Sequence, residues 1–448
     1  MSKPAPRDRP VKGHGLISDA GGRPSIPTTP EGWDVLRIGE MFSRRTERGR
    51  EGLPVMSITM SEGLVERDPV ERRVDSNLPP EGHLLVRAGD LAYNMMRMWQ
   101  GVLGRGKYDC LVSPAYIVLQ PSRKVEPEFA EYLFSTKVAT AAFKRLSYGV
   151  VDDRLRLYYR DLVRVQFSVP RSLTEQRRIS QILSTLNETI GQTEELIAKY
   201  RQVKAGLMQD LFSRGITSDG CLRPTHTEAP ALYKSTSIGW LPNEWDLVQI
   251  GESFDIQLGK MLSQAAKTGR NEALYLGNRN VQWDRIDTSG METMDFTAAE
   301  RLKFQLLPGD LLVCEGGDVG RTALWSGEIE HCYYQKAIHR LRPKTRDVLP
   351  SYMLRFMRFA RDRGYFREFT SQSSIAHLTQ EKLAKVSMLK PPRDEQVRIA
   401  TRFDAVDEVL FCEQDLLAKL RLQKLGLMHD LLIGCVRVGT LQLEEVAR

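Results

Sequence analysis

No apolar run in this 448-residue chain approaches the eighteen or so residues that a bilayer-spanning helix needs, so a membrane protein is not expected. Met1 to Pro30 are rich in Pro, Gly, Arg and Lys and lack the apolar core of a signal peptide, which predicts a mobile tail over residues 1–25 and no export. Paired cysteine spacings are missing too. Cys110, Cys221, Cys314, Cys332, Cys412 and Cys435 are scattered, which fits neither a zinc site nor a disulfide framework and points to reduced thiols in cytoplasm. The seven histidines include no pair at metal-ligand spacing, and the neighbours His331 and Cys332 read as a strand edge rather than as ligands. Glycine clusters such as Glu315 to Arg321 lack the Lys-Ser/Thr ending of a phosphate loop. Neither an Asn-Pro-Pro-type catalytic loop nor clustered metal-binding carboxylates occur. No cofactor, no metal and no catalysis by the chain itself are therefore expected.

Among the features present is a modest cationic excess, 64 Lys and Arg against 57 Asp and Glu, for a net charge of +7. That balance favours a polyanionic partner without proving one. The chain also states one pattern twice. Glu175-Gln-Arg-Arg-Ile opens a segment ending Lys204-Ala-Gly-Leu-Met-Gln-Asp-Leu211, and Glu395-Gln-Val-Arg-Ile opens another ending Lys424-Leu-Gly-Leu-Met-His-Asp-Leu431. At an offset of 220, residues 175–212 and 395–432 agree at fifteen of thirty-eight positions, where unrelated sequences agree at roughly two or three. This is an internal duplication, and the length independently calls for at least two cores.

A globular head precedes each repeated segment. Pro30-Glu-Gly-Trp33-Asp-Val-Leu-Arg-Ile38-Gly-Glu40 answers Pro242-Asn-Glu-Trp245-Asp-Leu-Val-Gln-Ile250-Gly-Glu252 at an offset of 212. Ala88-Gly89-Asp90-Leu91 answers Pro308-Gly309-Asp310-Leu311, a turn entering an apolar strand, and Tyr132-Leu-Phe answers Tyr352-Met-Leu at the expected start of an amphipathic helix. Short β-rich runs, Leu84-Leu-Val, Ala115-Tyr-Ile-Val-Leu and Val163-Arg-Val-Gln-Phe-Ser-Val, alternate with short helices and predict a mixed α+β fold. The offset drifts between copies, so loops differ in length while the framework repeats, as recognition domains require. Trp33 and Trp245 read as structural anchors under the heads.

The repeated segments predict long helices. Ile179, Leu183, Leu186, Ile190, Thr193, Ile197, Tyr200, Lys204, Leu207 and Leu211 alternate by four and three. Ile399, Phe403, Val406, Leu410, Glu413, Leu417, Leu420, Lys424, Leu427 and Leu431 repeat that alternation, so both segments carry a heptad seam. Ser172 with Glu175 offers a capping box, and Asp394 behind Pro392 an equivalent start. Parallel packing would set Lys204 beside Lys424 in the seam and crowd both heads at one end, so an antiparallel coiled coil with a pseudo-twofold repeat is expected. Gly206 and Gly426 each cost up to about 1 kcal/mol relative to alanine, which close approach by another backbone would justify.

Head, Glu-Gln-x-x-Ile helix, head, Glu-Gln-x-x-Ile helix resembles the specificity subunit of Type I restriction-modification systems over nearly the whole chain after residue 25. Gly309-Asp-Leu-Leu-Val, Gly317-Asp-Val-Gly-Arg-Thr-Ala323 and Gln335-Lys-Ala-Ile-His-Arg340 look like that family's recognition-domain core, as does Tyr93-Asn94-Met with Ser113-Pro-Ala-Tyr116. The resemblance implies a tail (1–25), target recognition domains (26–172 and 240–392), spacer helices (173–213 and 393–434), a linker (214–239) and a C-terminal tail (435–448). It implies that each domain reads half of a split double-stranded DNA site. It further implies two methyltransferase subunits docked on the helices, with restriction/motor subunits attached through them. Half-sites presented to one protein face lie about 34–36 Å apart.

Bases are read by Arg, Lys, Asn, Gln and Ser, phosphates by Lys, Arg and backbone amides. The candidate DNA contacts in the first head are Arg44, Arg45, Arg48 and Arg50 for phosphates, then Asn94, Arg97, Arg105 and Lys107, with Ser147, Tyr148, Arg154 and Arg156 on a later loop. In the second they are Lys260, Arg279, Asn280, Arg321, Lys336, Gln372, Ser373 and Ser374. Arg355, Arg358, Arg361 and Arg363 read as one helix face. A related Type II-like or modification-only system would have the same heads with another catalytic partner. A coiled-coil scaffold whose heads bind protein is the remaining alternative, and would show little salt dependence toward DNA.

Overall fold

The computed structural model describes residues 29–60, 62–66, 78–149, 155–367 and 377–438. Two compact units emerge, one of Met1–Glu194 with Asp415–Arg448 and one of Glu195–Gln414. The division passes through both long helices, Leu173–Ser213 and Arg393–Leu432, so each unit owns a head and a stretch of each helix.

In the first unit a four-stranded antiparallel sheet runs in the order Phe42–Arg45, Tyr116–Pro121, Leu91–Asn94, Leu103–Arg105. The second unit repeats it as Phe254–Leu258, Ile338–Pro343, Leu311–Cys314, Thr322–Leu324. Each head also pairs its first strand with the strand that precedes its long helix, Trp33–Arg37 with Gln166–Pro170 and Asp246–Gln249 with Ser387–Lys390. The Gly-Asp-Leu turn has the same construction in both. Gly89 and Gly309 hold φ of 90° and 95°, which glycine alone tolerates readily. The Asp that follows accepts from the backbone three residues earlier and grips an arginine, Arg45 on Asp90 and Arg342 on Asp310.

The helix expected to start near Tyr132 instead starts at Pro127, ends at Phe134, and is followed by a second helix, Lys137–Arg145, capped by Thr136. The second head has one helix there, Pro350–Asp362. The stretch read as a linker is ordered: Ile216 and Tyr233 are buried, and Tyr233–Thr236 forms a hairpin with Gly239–Pro242.

Within each unit the two helices run antiparallel. In the first, Glu175 meets Arg437 and Glu194 meets Arg421. In the second, Lys204 meets Asp407 and the Ile216 amide meets Glu395. As numbers climb along one helix they fall along the other. Ile179, Leu183, Leu186 and Leu431 are buried in the first unit, and Ile197, Leu211, Ile399, Phe403 and Leu410 in the second. Ile190, Tyr200, Leu207, Val406, Leu417, Leu420 and Leu427 are half-buried. Phe212 stacks at 5.9 Å on Phe403, joining both helices to the second head's aromatic core. Gly206 and Gly426 correct one expectation: both are exposed, and a Cβ on either would meet nothing within 4 Å. Among the described residues no other backbone packs there.

Candidate nucleic-acid interface

The duplicated Glu-Gln dyad fastens each helix start to its head. Gln176, fully buried, donates to the Lys124 and Pro170 carbonyls and accepts from the Glu126 amide. Gln396 does the same with Asp347, Pro391 and Leu349. Ser172 accepts from the Glu175 amide at 3.4 Å, but the Glu175 carboxylate does not complete a capping box. It accepts instead from the Trp33 indole at 3.3 Å and from Arg437 at 2.9 Å. Glu395 accepts from the Trp245 indole at 3.0 Å, from the Ile216 amide at 2.8 Å and from Arg223. Both tryptophans are thus anchors, with Trp245 fully enclosed.

Upon this frame the loops diverge. In the first head, the Leu157 amide donates to the Met95 carbonyl, and Tyr148 pairs with Arg156 through both backbones. Those bonds bring the loop of Asn94 and Arg97 beside that of Ser147, Tyr148 and Arg156. Asn94 shapes its loop by accepting from the Met96 amide, and Ser147 donates to the Phe143 carbonyl. Lys144 lies 5.5 Å over the Trp99 ring, a neighbour that sequence reasoning missed. Arg44, Arg97, Lys107 and Arg156 are exposed and form no ion pair among the described residues. Arg48 reaches the Gly82 carbonyl and Arg50 reaches Asp109, both at the surface.

Two candidates of this head are instead engaged by acids of the framework. Arg45 has a side chain only 12% exposed and is held on Asp90, whose charge it answers. Arg105 pairs with Glu128 and Glu131, and burial still pushes the Glu131 carboxyl upward. Arg154 lies outside the described residues, as do Gln372, Ser373 and Ser374.

In the second head the backbone joins Lys260 to Gln335 and Lys336 to Lys260, bringing that pair near the loop of Asn278, Arg279 and Asn280. Asn280 is a correction. It is 2% exposed, accepts from the Gly277 amide and donates to Asp287 and Ser289, so it builds the loop and has no face for a base. Lys260 donates to Glu300 and the Asp295 carbonyl, and is likewise internal. Asp295 in turn gathers Thr268, Gly269 and Asn271, and those hydrogen bonds draw its carboxyl down to about 2. Arg321 donates to the Asn278 carbonyl at 2.7 Å, and Arg279 pairs with Glu292 at the surface. Lys336 is exposed and without an ion pair among the described residues.

The arginines of helix Pro350–Asp362 and after it are structural. Arg355 binds Asp284, Asp404 and Asp407, Arg358 and Arg361 flank the Trp283 ring, and Arg363 covers Phe359. Among the described residues no group of three or more His, Cys, Asp or Glu could hold a metal, and no helix is long and apolar enough to cross a membrane.

Two versions of one α+β head, each tied to antiparallel helices and each carrying its own polar loops, define a duplicated recognition subunit. Residues 242–422 match the family model of the Type I restriction modification DNA specificity domain. The Type I restriction enzyme MjaVIII specificity subunit of Methanocaldococcus jannaschii is 23% identical over 441 residues, covering 92% of this chain and 95% of that one. The S subunit of a Type-I restriction-modification system from M. genitalium shares the fold with a TM-score of 0.54 at 13% identity, covering 89% of this chain and 96% of that one. A chain from a structural study of type I R-M complex assembly and conformational transition gives 0.53 at 16% identity, with 91% and 100% covered. Over nearly its whole length the chain is thus similar to specificity subunits of Type I restriction-modification systems, and its residues 242–422 match the DNA specificity domain of that family. Specificity subunits are generally non-catalytic.

Proposed function

We propose that this chain reads a bipartite, asymmetric double-stranded DNA site, with residues 26–172 and 240–392 each recognising one half across an unread gap. It catalyses nothing itself, works in the cytoplasm, and docks two methyltransferase subunits on its helices, through which restriction subunits attach. One observation carries this reading: the sheet frame is duplicated while the cations left exposed on it are not. Among the described residues Arg44, Arg97, Lys107 and Arg156 have no matching set in the second head, where Lys336 and Arg279 stand on different loops. Two heads of one build with different contact groups suit two different half-sites.

The test is to map methylated bases in cells that express the chain with its methyltransferase. Arg97→Ala is expected to weaken modification through the first half-site, and Lys336→Ala through the second. A wild-type pattern without two separated sequence elements would overturn the proposal.

A further inference from the structure

The second head contains a pocket of about 250 Å³ lined by Leu262, Tyr275, Asn278, Arg279, Glu292 and Gln335. Most of its polar groups are already engaged. Tyr275 donates to Glu292 at 2.7 Å, Glu292 also holds Arg279, and Asn278 lies between the Gly316 carbonyl and Arg321. The Gln335 carboxamide is the exception, with no hydrogen-bond partner among the described residues.

The Gln335 main chain, by contrast, is fixed on every side. Its amide donates to Leu276 at 3.0 Å, its carbonyl accepts from Ile338 at 3.2 Å, and the next amide, that of Lys336, donates to Lys260 at 2.6 Å. Ala337 is held at φ 118°, a conformation costly for a residue with a side chain. The chain thus leaves its strand path to place Gln335 at the pocket and Lys336 in solvent. Gly277 leaves the space open, since a Cβ there would lie 3.3 Å from the Gln335 amide nitrogen. A rigid backbone presenting a free carboxamide is a pre-organised reader.

We propose that Gln335 is a specificity-determining residue that reads an adenine in the half-site taken by the second head. The carboxamide offers a donor and an acceptor side by side, which matches N7 and the N6 amino group of adenine in the major groove. Lys336 contacts a phosphate beside it. This inference rests on the DNA-reading role proposed above.

The experiment maps methylated sites for the complete complex carrying Gln335→Ala, Gln335→Glu or Gly277→Ala. Gln335→Ala is expected to relax one base pair of one half-site, lowering the preference for adenine there about ten-fold. Gln335→Glu, an acceptor only, is expected to shift that position toward cytosine, whose N4 donates. Gly277→Ala, which crowds the carboxamide, is expected to relax the same position. The untouched half-site, read in the same molecule, reports that the protein is folded and assembled. An unchanged specificity in the Gln335 variants, or an even loss over every position of the half-site, would overturn the assignment. Absence of any sequence preference in the wild-type complex would instead bring down the DNA-reading role itself.

Discussion

His339 is fully enclosed, with Nε2 2.8 Å from the Leu378 carbonyl and Nδ1 without a partner among the described residues. Burial holds its pKa below the ordinary 6.5, because a second proton would place a charge on an unanswered nitrogen. The unfolded chain takes up that proton near 6.5 and the folded one only at lower pH, so the contribution to stability is complete above 6.5 and is lost as pH falls through the folded value. The denaturant midpoint of the second unit is therefore expected to fall as the solution is acidified below 6.5, and His339→Gln to flatten that dependence. An equal slope in both proteins would count against it. Exposure follows the same rule of partners. Arg45, Arg105 and Lys260 look in sequence like Arg97 or Lys336, but each has an acid waiting elsewhere in the fold. Residue type alone does not tell a framework cation from a free one.

At the scale of elements, the paired anchors differ in burial although they share a design. Glu395 is 1% exposed and Arg223 8%, whereas Glu175 is 10% and Arg437 45% exposed. Removing one member of a buried ion pair strands the other, at a cost of about 3–5 kcal/mol, while a solvent-exposed pair is worth about 1 kcal/mol or less. Glu395→Ala is expected to destabilise the full chain far more than Glu175→Ala, as measured by chemical denaturation. The heptad seam was legible because its period lies within one helix, and the strands because of their short apolar runs. The tasks of Glu175 and Glu395 were not legible. Trp33 and Arg437 stand 142 and 262 positions from Glu175, and local spacing carries no trace of such contacts. The same holds for the interface. The frame repeats visibly, but Gln335 gains its meaning from Leu276, Lys260 and Ala337, which only the fold assembles.

For the whole molecule, DNA binding is expected to weaken steeply with added salt, since phosphate contacts release counterions. A complex whose affinity is flat across a salt titration would favour a protein-binding scaffold. Deleting one heptad from both long helices is expected to alter the preferred gap and to leave the two half-site sequences intact. An unchanged gap would end the view of the helices as a ruler.

The second unit, Glu195–Gln414, is one uninterrupted stretch of chain, but the first completes its core with Leu431 and Leu432. During synthesis the later-coded body has all of its own residues while the earlier one still waits, its apolar surface uncovered, for the last turns of the second helix. Contacts that close such long loops form slowly. The half that leaves the ribosome first is the half that finishes last, and it is there that a nascent chain is most open to aggregation or to a chaperone.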